Sequence, residues 1–580
     1  MLDFEKAFDS IEWNFIFKVL AKYNIGKGFI QWIKTLYADP KIRVKNNGWL
    51  TEYISVTRSV KQGCPVSALL FIICIEMLSE QIKNDTKING IKLKSLINTK
   101  RDIVLTTTQF ADDIILTLEN EESLARALKI INTFTEAAGP KLNLSKSEIL
   151  GTGIYRIQQK ICDIEVKENV RCLGIYIGHD IKFCNDHNWN TKILKLENTL
   201  MGWSKRNLTK FGKITIIKTL GLSQLIFSVQ NTSMPEGIVK QIEGLLYRFI
   251  WNKKEMIKRK TLIAPYEEGG LKMVDTESFF SALKAKWVDR IIYNNAKWNI
   301  IGNHLIDNFA NDKLLLKIHT PDIKYIQMLP PFYKQMLQCY IKINNISCQK
   351  PNTIDELLAQ PLWYNKYIFT KIRKKEHPLF ISNWLKNGVL YIKDLSFKDG
   401  NIDEKLMYKF INNKSNIIIE LHEVKMALKP YSHLIKQLSN ETRPINISKH
   451  KFLSTKKLYN IQIDDIKIIP TYKLIHMCFP NTTSDEIQEA LRVKIEYKDD
   501  NKLAEFSYKI LHNILICGKA LNKWTKTPST CEICEPKEVH DIPHMIYYCT
   551  VCNDIWNIIN IELCKLHIFD ILAYLSHILM

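Results

Sequence analysis

The chain has 580 residues, 46% of them hydrophobic and 24% charged, a composition that excludes intrinsic disorder and predicts several globular domains. Its formal net charge is +21, so a polyanion is the expected partner, because basic side chains that neutralise phosphates release counterions. No run reaches the ~18 apolar residues that a membrane span requires, and no secretory signal is recognisable. The 14 cysteines are spread irregularly, which favours reduced thiols. We therefore expect a protein of the nucleus and cytoplasm that is not secreted and has no membrane partner.

The first 165 residues predict an α+β domain. Apolar periodicity and end signals place helices at residues 12–23, 28–37, 68–83 and 123–138, with strands and turns at 88–106. Gly139-Pro140 ends the last of these helices, because glycine supplies a left-handed stop and proline cannot continue the helix. From about residue 185 to 300 the apolar spacing becomes helical, and residues 301–500 add amphipathic helices joined by polar connectors.

Three acids are candidates for metal-dependent chemistry. Asp112 and Asp113 stand at a predicted turn between two apolar runs, and Asp3 lies in the strand-like start of the chain. Carboxylates suit the hard Mg²⁺ ion, and two such ions can clamp the attacking and leaving oxygens of an in-line phosphoryl displacement. An Asp pair alone is weak evidence, because surface turns are rich in Asp. Asp9 is as consistent with a helix cap as with a functional acid.

A loop between these acids has features of a binding segment. In residues 58–71, Gly63 permits a close backbone approach, and Pro65 is preset for a first helical turn. The apolar run that follows predicts a buried helix behind the loop. Such a loop can lie under a nucleic-acid strand.

The motifs, in this order, resemble the reverse transcriptase of LINE-type non-LTR retrotransposons. The resemblance implies a right-hand polymerase palm in which Asp3, Asp112 and Asp113 bind two Mg²⁺ or Mn²⁺ ions, with Asp112 favoured as the direct ligand. Lys146 is then a candidate for the nucleotide end of the site. Phe8 is implied to be the steric gate beneath the incoming sugar, and the residues facing the template and nucleotide are implied to be Phe8, Gln62, Gly63, Pro65 and Ser67. Leu173 and Gly174 match the hairpin that grips the primer.

The resemblance also implies a domain order. It gives a palm at residues 1–165, a primer grip and helical thumb at 166–300, a mostly α-helical region of unknown role at 301–500, and a C-terminal segment at 501–580. Because Asp3 lies only two residues from Met1, the fingers and endonuclease segments of the family have no room before it. We therefore expect an N-terminally truncated copy with impaired polymerase activity.

A metal site is predicted near the C-terminus. Cys531 and Cys534 form a CxxC pair that is followed by His544 and Cys549. Zn²⁺ prefers tetrahedral sulfur and nitrogen donors, and three cysteines with one histidine leave no open position, so the zinc would be structural. The pattern also resembles the zinc knuckle of the same retrotransposon family. His540 and Cys552 lie close enough in sequence to replace the last two ligands.

The leading functional interpretation is an RNA-directed DNA polymerase. By resemblance, it uses an RNA template, a DNA primer and deoxynucleoside triphosphates, and the primer 3′ hydroxyl attacks the α-phosphate of the bound nucleotide. A second interpretation is a catalytically dead remnant that still binds RNA or DNA. A third, a maturase-like intron protein, is disfavoured by the thumb and the Cys-His pattern.

Overall fold

The chain forms two compact units in a computed structural model. The structure describes all residues except 94–102, 253, 294–298, 311–312, 373–374, 399, 412–416, 438–452, 469–482, 484, 486–500, 527, 536 and 566–580. The first unit consists of Met1–Asn188 with Asn295–His304, and the second of Trp189–Asn294 with Leu305–Met580. Helices Ile181–Ser204 and Asn299–Asp307 each have residues in both units.

Four helices of the first unit confirm the sequence prediction to within three residues at each end, namely Trp13–Lys22, Lys27–Leu36, Pro65–Asn84 and Glu121–Ala138. The short helix Ala7–Ser10 and the 3₁₀ turn Gly153–Ile157 were not predicted. Pro65 occupies the start of its helix, where its missing N–H has no helical partner to lose. The helix ending at Ala138 stops at Gly139, whose φ of +100° favours glycine, and a Cβ there would lie 2.3 Å from the Ser10 carbonyl oxygen.

The sheet of the first unit is built around the predicted turn with two acids. Strands Thr107–Phe110 and Asp113–Leu116 form an antiparallel hairpin, here called the carboxylate hairpin. Leu2 bridges to Ile114 of this hairpin, and Phe4–Glu5 pairs with Lys141–Leu142 on the other side. The start of the chain is therefore the strand between the hairpin and residues 141–142.

The remaining strands of the first unit form small ribbons. Residues 88–106 were predicted as strands and turns, and the described part confirms an antiparallel pair, Ile91–Leu93 with Ile103–Leu105. The other strands are Lys41–Ile42, Lys45–Asn46, Trp49–Leu50, Ile54–Ser55, Glu148–Leu150, Lys160–Ile161, Ile164–Lys167, Asn169–Cys172 and Ile175–Gly178. The ribbon at residues 41–55 was not predicted from the sequence.

The core of the first unit forms around helix Pro65–Asn84. Its buried residues include Phe71, Leu78 and Ile82, and it packs against helices Trp13–Lys22 and Glu121–Ala138. Within the described chain this is the one helix whose length and hydropathy would suit a membrane span, with 44% of its apolar window buried in the fold. Because its buried face forms the core, we interpret it as a core helix.

The second unit is mainly helical. Helices and helical turns follow at Lys210–Ile216, Ile217–Gly221, Leu222–Leu225, Ile226–Asn231, Ile238–Trp251, Arg259–Leu262, Tyr266–Glu268, Thr276–Tyr293, Leu314–Leu316, Lys324–Gln327, Pro331–Ser347, Ile354–Leu358, Ser382–Lys386, Ile392–Asp394, Glu404–Phe410, Ile417–Leu428, Lys429–Tyr431, Ser432–Ile435, Thr455–Ile466, Asn501–Leu511, Gly518–Thr525, His544–Tyr548 and Thr550–Lys565. The helical spacing predicted for 185–300 is thus confirmed, with Leu196, Ile217 and Leu246 buried in one apolar core.

The region predicted to be helical after residue 300 also contains strands. Two hairpins pair Phe369–Ile372 with Lys375–Pro378 and Phe397–Lys398 with Asn401–Ile402. Sequence periodicity missed them because each strand has only two to four residues, too few to show an alternation. Residues 469–482 and 486–500 of the predicted region lie outside the described residues.

Candidate active site

Asp3 and Asp113 are neighbours across two antiparallel strands. The Leu2 N–H donates to the Ile114 carbonyl over 2.8 Å, and the two residues form an antiparallel bridge. Because antiparallel chains run in opposite directions, the next residue on one strand meets the preceding residue on the other. Asp3 therefore faces Asp113, and directly opposed side chains lie within reach of one another.

Asp112 occupies a different position from Asp113. Phe110 pairs with Asp113, so Ala111 and Asp112 form the two-residue turn of the carboxylate hairpin. Ala111 has a φ of +55°, the left-handed conformation that two-residue hairpin turns require at their first central position. The turn directs Asp112 to the wall of a cavity, whereas Asp113 begins the strand.

The electrostatics of the acids show that they are close. Burial raises the pKa of Asp113, and the negative charges of Asp112 and Asp3 raise it further. Like charges that raise the pKa of a partly buried carboxyl make the site favourable for a cation. The donor set, three carboxylates, is one that Mg²⁺ accepts.

A cavity of about 510 Å³ brings together most of the residues predicted to face the nucleotide. Its lining includes Phe8, Gln62, Gly63, Ser67 and Asp112, together with Phe4, Lys6, Ala7, Asp9, Val60, Lys61, Cys64 and Ala68. Asp3, Asp113, Pro65 and Lys146 are not among the lining residues. The cavity is of the size that small-molecule sites have.

Backbone hydrogen bonds hold the loop that forms one wall of this cavity. The Ser59 and Val60 N–H groups donate to the carbonyls of Ile11 and Phe8, each over 2.9 Å. The Trp13 indole N–H donates to the Ser59 carbonyl over 2.8 Å. Three anchors, Phe8, Ile11 and Trp13, thus hold residues 59 and 60 of the loop beside the helix that begins at Trp13.

Two side-chain contacts continue this wall. The Gln62 amide donates to the Asp9 carboxylate over 3.2 Å, so Asp9, left open by the sequence, contacts a predicted template residue. The Ser67 hydroxyl donates to the Lys61 carbonyl over 2.6 Å and therefore ties the loop to its helix. No sequence signal identified either pairing, because the partners are 53 and 6 residues apart.

Phe8 packs on Phe71 at the floor of the cavity. The ring centroids lie 4.2 Å apart with an interplanar angle of 23°, a stacked arrangement. Phe71 is fully buried in the core helix, whereas Phe8 is half-buried and lines the cavity. The core helix therefore fixes the ring of Phe8 in the cavity wall.

The loop that carries Lys146 is attached to the strand of Asp3. The Asn143 N–H donates to the Asp3 carbonyl over 2.8 Å, and the Asp3 N–H donates to the Ser147 hydroxyl over 3.3 Å. The side chain of Lys146 is exposed. Ser147 is buried, and no sequence signal distinguished it from its neighbours.

The predicted primer-grip residues form a tight turn. Strands Asn169–Cys172 and Ile175–Gly178 are joined by Leu173 and Gly174, whose φ angles are +47° and +81°. Two positive φ values define a type I′ turn, the usual two-residue hairpin connection. The Asn188 side chain bonds both backbone groups of Tyr176, at 2.8 and 2.9 Å, and so fixes the second strand.

The C-terminal cluster gathers the four predicted zinc ligands. Among the residues that the structure describes, Cys531, Cys534, His544 and Cys549 form the one set of three or more potential ligands whose donor atoms all lie within 4.8 Å of one another. All four are buried, and the His544 Nε2 lies 3.3 Å from the Cys534 Sγ. The backbone N–H groups of Ile533 and Cys534 lower the pKa of Cys531 to about 6, which favours the thiolate that a metal binds.

The two alternative zinc ligands, His540 and Cys552, lie outside this set of four residues. His540 accepts from the Gly518 N–H over 3.0 Å, and the Cys552 thiol donates to the Met545 carbonyl over 3.0 Å. Neither belongs to the set of four. The acids Asp3, Asp112 and Asp113, although all described, do not form a set within 4.8 Å either.

The fold and the site define a class of protein. Residues 1–177 match the family model described as reverse transcriptase (RNA-dependent DNA polymerase). They form a reverse transcriptase domain with an α+β polymerase fold, in a class that generally uses divalent metal ions. The match covers the carboxylate hairpin, the cavity and the turn at Leu173–Gly174.

The chain is similar to proteins of transposons and retrotransposable elements. The chain is 21% identical over 94% of its length to the transposon TX1 uncharacterized 149 kDa protein of Xenopus laevis, of which it covers 45%. It is 30% identical over 54% of its length to the Pol polyprotein of the type-2 retrotransposable element R2DM of Drosophila melanogaster, covering 30% of it. A Pol polyprotein of the type-1 element R2 of Popillia japonica is 22% identical over 52% of this chain and 50% of its own length.

These similarities support the LINE-type, non-LTR retrotransposon reverse transcriptase that the motifs predicted. The chain spans half or less of the length of these curated relatives. The names of these relatives therefore describe proteins that are longer than this chain.

Proposed function

We propose that this chain is an RNA-directed DNA polymerase that extends a DNA primer on an RNA template with deoxynucleoside triphosphates. The observation that supports this most is that Asp3 lies opposite Asp113 on adjacent strands, while Asp112, whose charge also acts on Asp113, lines the cavity together with Phe8 and Gln62. The net charge of +21 supports a nucleic-acid partner, since phosphate contacts dominate such binding.

The acids fit divalent cations: burial raises the pKa of Asp113, the charges of Asp112 and Asp3 raise it further, and a bound cation would relieve that repulsion. Two Mg²⁺ or Mn²⁺ ions bound there would supply the charge that nucleotidyl transfer requires. The other residues act on the nucleotide directly. Phe8 supports the sugar from below and excludes a ribose 2′ hydroxyl, the backbone at Gly63 allows close approach of the strand, and Lys146 adds a positive charge at the nucleotide end.

Primer extension tests this proposal. The full chain is incubated with an RNA template annealed to a DNA primer, deoxynucleotides and Mg²⁺ or Mn²⁺, and compared with Asp112→Ala. A matched control is Asp163→Ala, which changes an exposed acid in another turn. Synthesis that Asp112→Ala abolishes and Asp163→Ala retains would support the polymerase. RNA binding without any incorporation would instead favour the nucleic-acid-binding remnant.

We propose further that the C-terminal cluster binds one structural Zn²⁺ through Cys531, Cys534, His544 and Cys549. The His544 Nδ1 lies 3.0 Å from the Glu538 carboxylate, a contact that orients the ring with its Nε2 towards the sulfurs. Carboxylates in this position are the usual outer partners of metal-binding histidines. The closed set leaves no position for a reacting water, so the zinc would stabilise the fold.

Metal analysis of the purified chain tests the zinc site. We expect about one zinc per chain, because a closed site of this kind binds zinc strongly at neutral pH. The double variant Cys531→Ser, Cys534→Ser should lose it. Cys552→Ser is the matched control, since that thiol packs against the cluster without belonging to it, and it should keep the metal. Absence of zinc from the unaltered chain would contradict the proposal.

A further inference from the structure

The ribbon at residues 41–55, here called the basic hairpin, extends into solvent. Lys41–Ile42 pairs with Ile54–Ser55, and Lys45–Asn46 pairs with Trp49–Leu50. Asn47 and Gly48 close it with φ angles of +47° and +89°, a type I′ turn. Every residue of the four strands is exposed, and an isolated two-stranded hairpin of this kind is only marginally stable in water.

The two faces of the basic hairpin differ in chemistry. Side chains alternate between the faces of a strand, so Lys41, Arg43 and Lys45 share one face. Ile42 opposes Ile54, which places Tyr53 beside Arg43, and the guanidinium carbon lies 4.8 Å from the centre of that ring. These four residues, with Ser55 opposite Lys41 and Leu50 opposite Lys45, form the basic face. The other face is apolar, with Ile42, Val44, Trp49 and Ile54.

The basic face has the charge and spacing of a phosphate-binding track. Residues two apart on one face of a strand are separated by roughly 6.6 to 6.8 Å, comparable with the distance between neighbouring phosphates of an extended nucleic-acid strand. Glu52 is the one acid within residues 41–55. Lys41 pairs with Asp39 at 2.8 Å, but both side chains are exposed, and such a pair is weak enough to exchange for a phosphate.

The aromatic group on this face is available for a base. Tyr53 is 64% exposed, and the Arg43 guanidinium over its ring holds it in place. Bases stack on exposed aromatic rings for about 1 to 3 kcal/mol each, and an unpaired base is needed to do so. This combination of alternating positive charges and an aromatic ring favours a single strand over a duplex.

The basic hairpin is joined to the cavity wall by a short segment of chain. Its last backbone bond joins the Val56 N–H to the Pro40 carbonyl over 3.0 Å. Val60 and Lys61, which follow within a few residues, line the cavity. Only residues 57–59 therefore separate the end of the basic hairpin from the loop that forms this wall.

We propose that the basic face binds a single-stranded nucleic acid, with consecutive phosphates on Lys41, Arg43 and Lys45 and a base stacked on Tyr53. Taking this strand to be the template rests on the proposed function, whereas its binding does not depend on nucleotide incorporation. A protein partner would instead be expected on the apolar face, where Trp49 is 83% exposed.

The test measures binding of a fluorescently labelled oligouridine to the full chain, by anisotropy at several salt concentrations and without nucleotides. Arg43→Ser with Lys45→Ser changes the basic face. Ile42→Ser with Val44→Ser is the matched control, because it places the same residue on the same strand but on the other face. We expect the basic-face variant to lose affinity about tenfold and its salt slope to fall by about 1.4, from about 0.7 for each phosphate contact of a single strand.

Two more variants separate charge, stacking and folding of the hairpin. Arg43→Lys with Lys45→Arg keeps the charges and should retain most of the affinity, whereas Tyr53→Ala should lose about fivefold or more. Unchanged binding in the basic-face variant, or an equal loss in the apolar-face control, would overturn the proposal. If oligouridine binds as expected but primer extension fails, the polymerase proposal is wrong and this surface stands.

Discussion

Asp3 faces Asp113 across two antiparallel strands, although the residues are 110 positions apart in the chain. This register places two carboxylates of the reverse transcriptase domain on neighbouring strands, and Asp112 adds a third whose charge also acts on Asp113. The strand that carries Asp3 is also bonded to the loop of Lys146 through Asn143 and Ser147. The first strand of the chain therefore contacts both the carboxylate hairpin and the loop that carries Lys146.

Replacing Asp113 with Asn should stabilise the metal-free protein. The pKa of Asp113 in the fold is raised above the value of 3.8 that an unfolded Asp has, by burial and then by repulsion from Asp112 and Asp3. Its ionisation therefore costs stability once the pH exceeds that value, and the cost is absent in more acidic solution. Thermal unfolding at pH 7 with a chelator should show a higher midpoint for Asp113→Asn.

The same measurement with Mg²⁺ adds a second readout. A cation offsets the repulsion in the unaltered chain, so Mg²⁺ should raise its midpoint and should raise that of Asp113→Asn less. Asp163→Asn, at an exposed turn, serves as the control and should respond like the unaltered chain. A lower midpoint for Asp113→Asn without metal would show that burial and repulsion do not destabilise the ionised Asp113.

Replacing Phe8 with Val should relax sugar selection. Phe8 is stacked on Phe71 and lines the cavity, so a smaller side chain leaves space where a ribose 2′ hydroxyl would lie. We expect discrimination against ribonucleotides to fall by about 10- to 100-fold, as kcat/KM ratios measured in primer extension. Phe15→Val alters an aromatic residue that packs on Phe134, away from the cavity, and should leave the ratio unchanged. Equal ratios for both variants would remove Phe8 from the sugar site.

Replacing Asp9 with Ala should weaken nucleotide binding through Gln62. The hydrogen bond between them, at 3.2 Å, is exposed, and such bonds contribute about 0.5 to 1.5 kcal/mol. The expected effect is an increase in nucleotide KM of about two- to tenfold with kcat nearly constant. Asp9→Asn keeps an acceptor oxygen and should restore most of the KM. If Gln62→Ala shows the same loss and the double variant shows no more, the two residues act together; additive losses would contradict that.

Replacing Lys284 with Met should remove a pH dependence of stability in the second unit. Lys284 is fully buried, donates to the Thr232 carbonyl and lies 4.4 Å from the centre of the Phe332 ring. Burial lowers the pKa of Lys284 from 10.5 to about 7. Between these values the unfolded chain binds the extra proton, so stability rises with pH, by about 3 kcal/mol from pH 7 to 9.5.

The control for Lys284→Met is the same substitution at an exposed lysine. Lys342→Met changes an exposed lysine that pairs with Glu277, and it should keep the rise in thermal midpoint between pH 7 and 9.5. Lys284→Met should flatten that rise. The same slope in both variants would show that Lys284 is not the group responsible.

Much of the fold was predictable because its signals are local. The helices around Leu20, Phe71 and Ile131 follow from apolar spacing, and their ends follow from Pro65 and Gly139, which act within a few residues. The basic hairpin was missed, although Asn47-Gly48 is a hairpin signal, because the alternation around it is broken by Trp49-Leu50. The strands after residue 368 were missed because they are too short for a period to show.

The sequence by itself determined the residue types at the site and their order, and so the class of protein, because carboxylates, a glycine loop and a CxxC pair carry their chemistry wherever the chain places them. Tertiary structure alone decided which groups meet. It put Asp113 opposite Asp3 and Asp112 on the cavity wall, chose His544 and Cys549 over His540 and Cys552, and brought Asp9 to Gln62. The physical reason is that strand register and packing are long-range properties, which no local pattern of residues specifies.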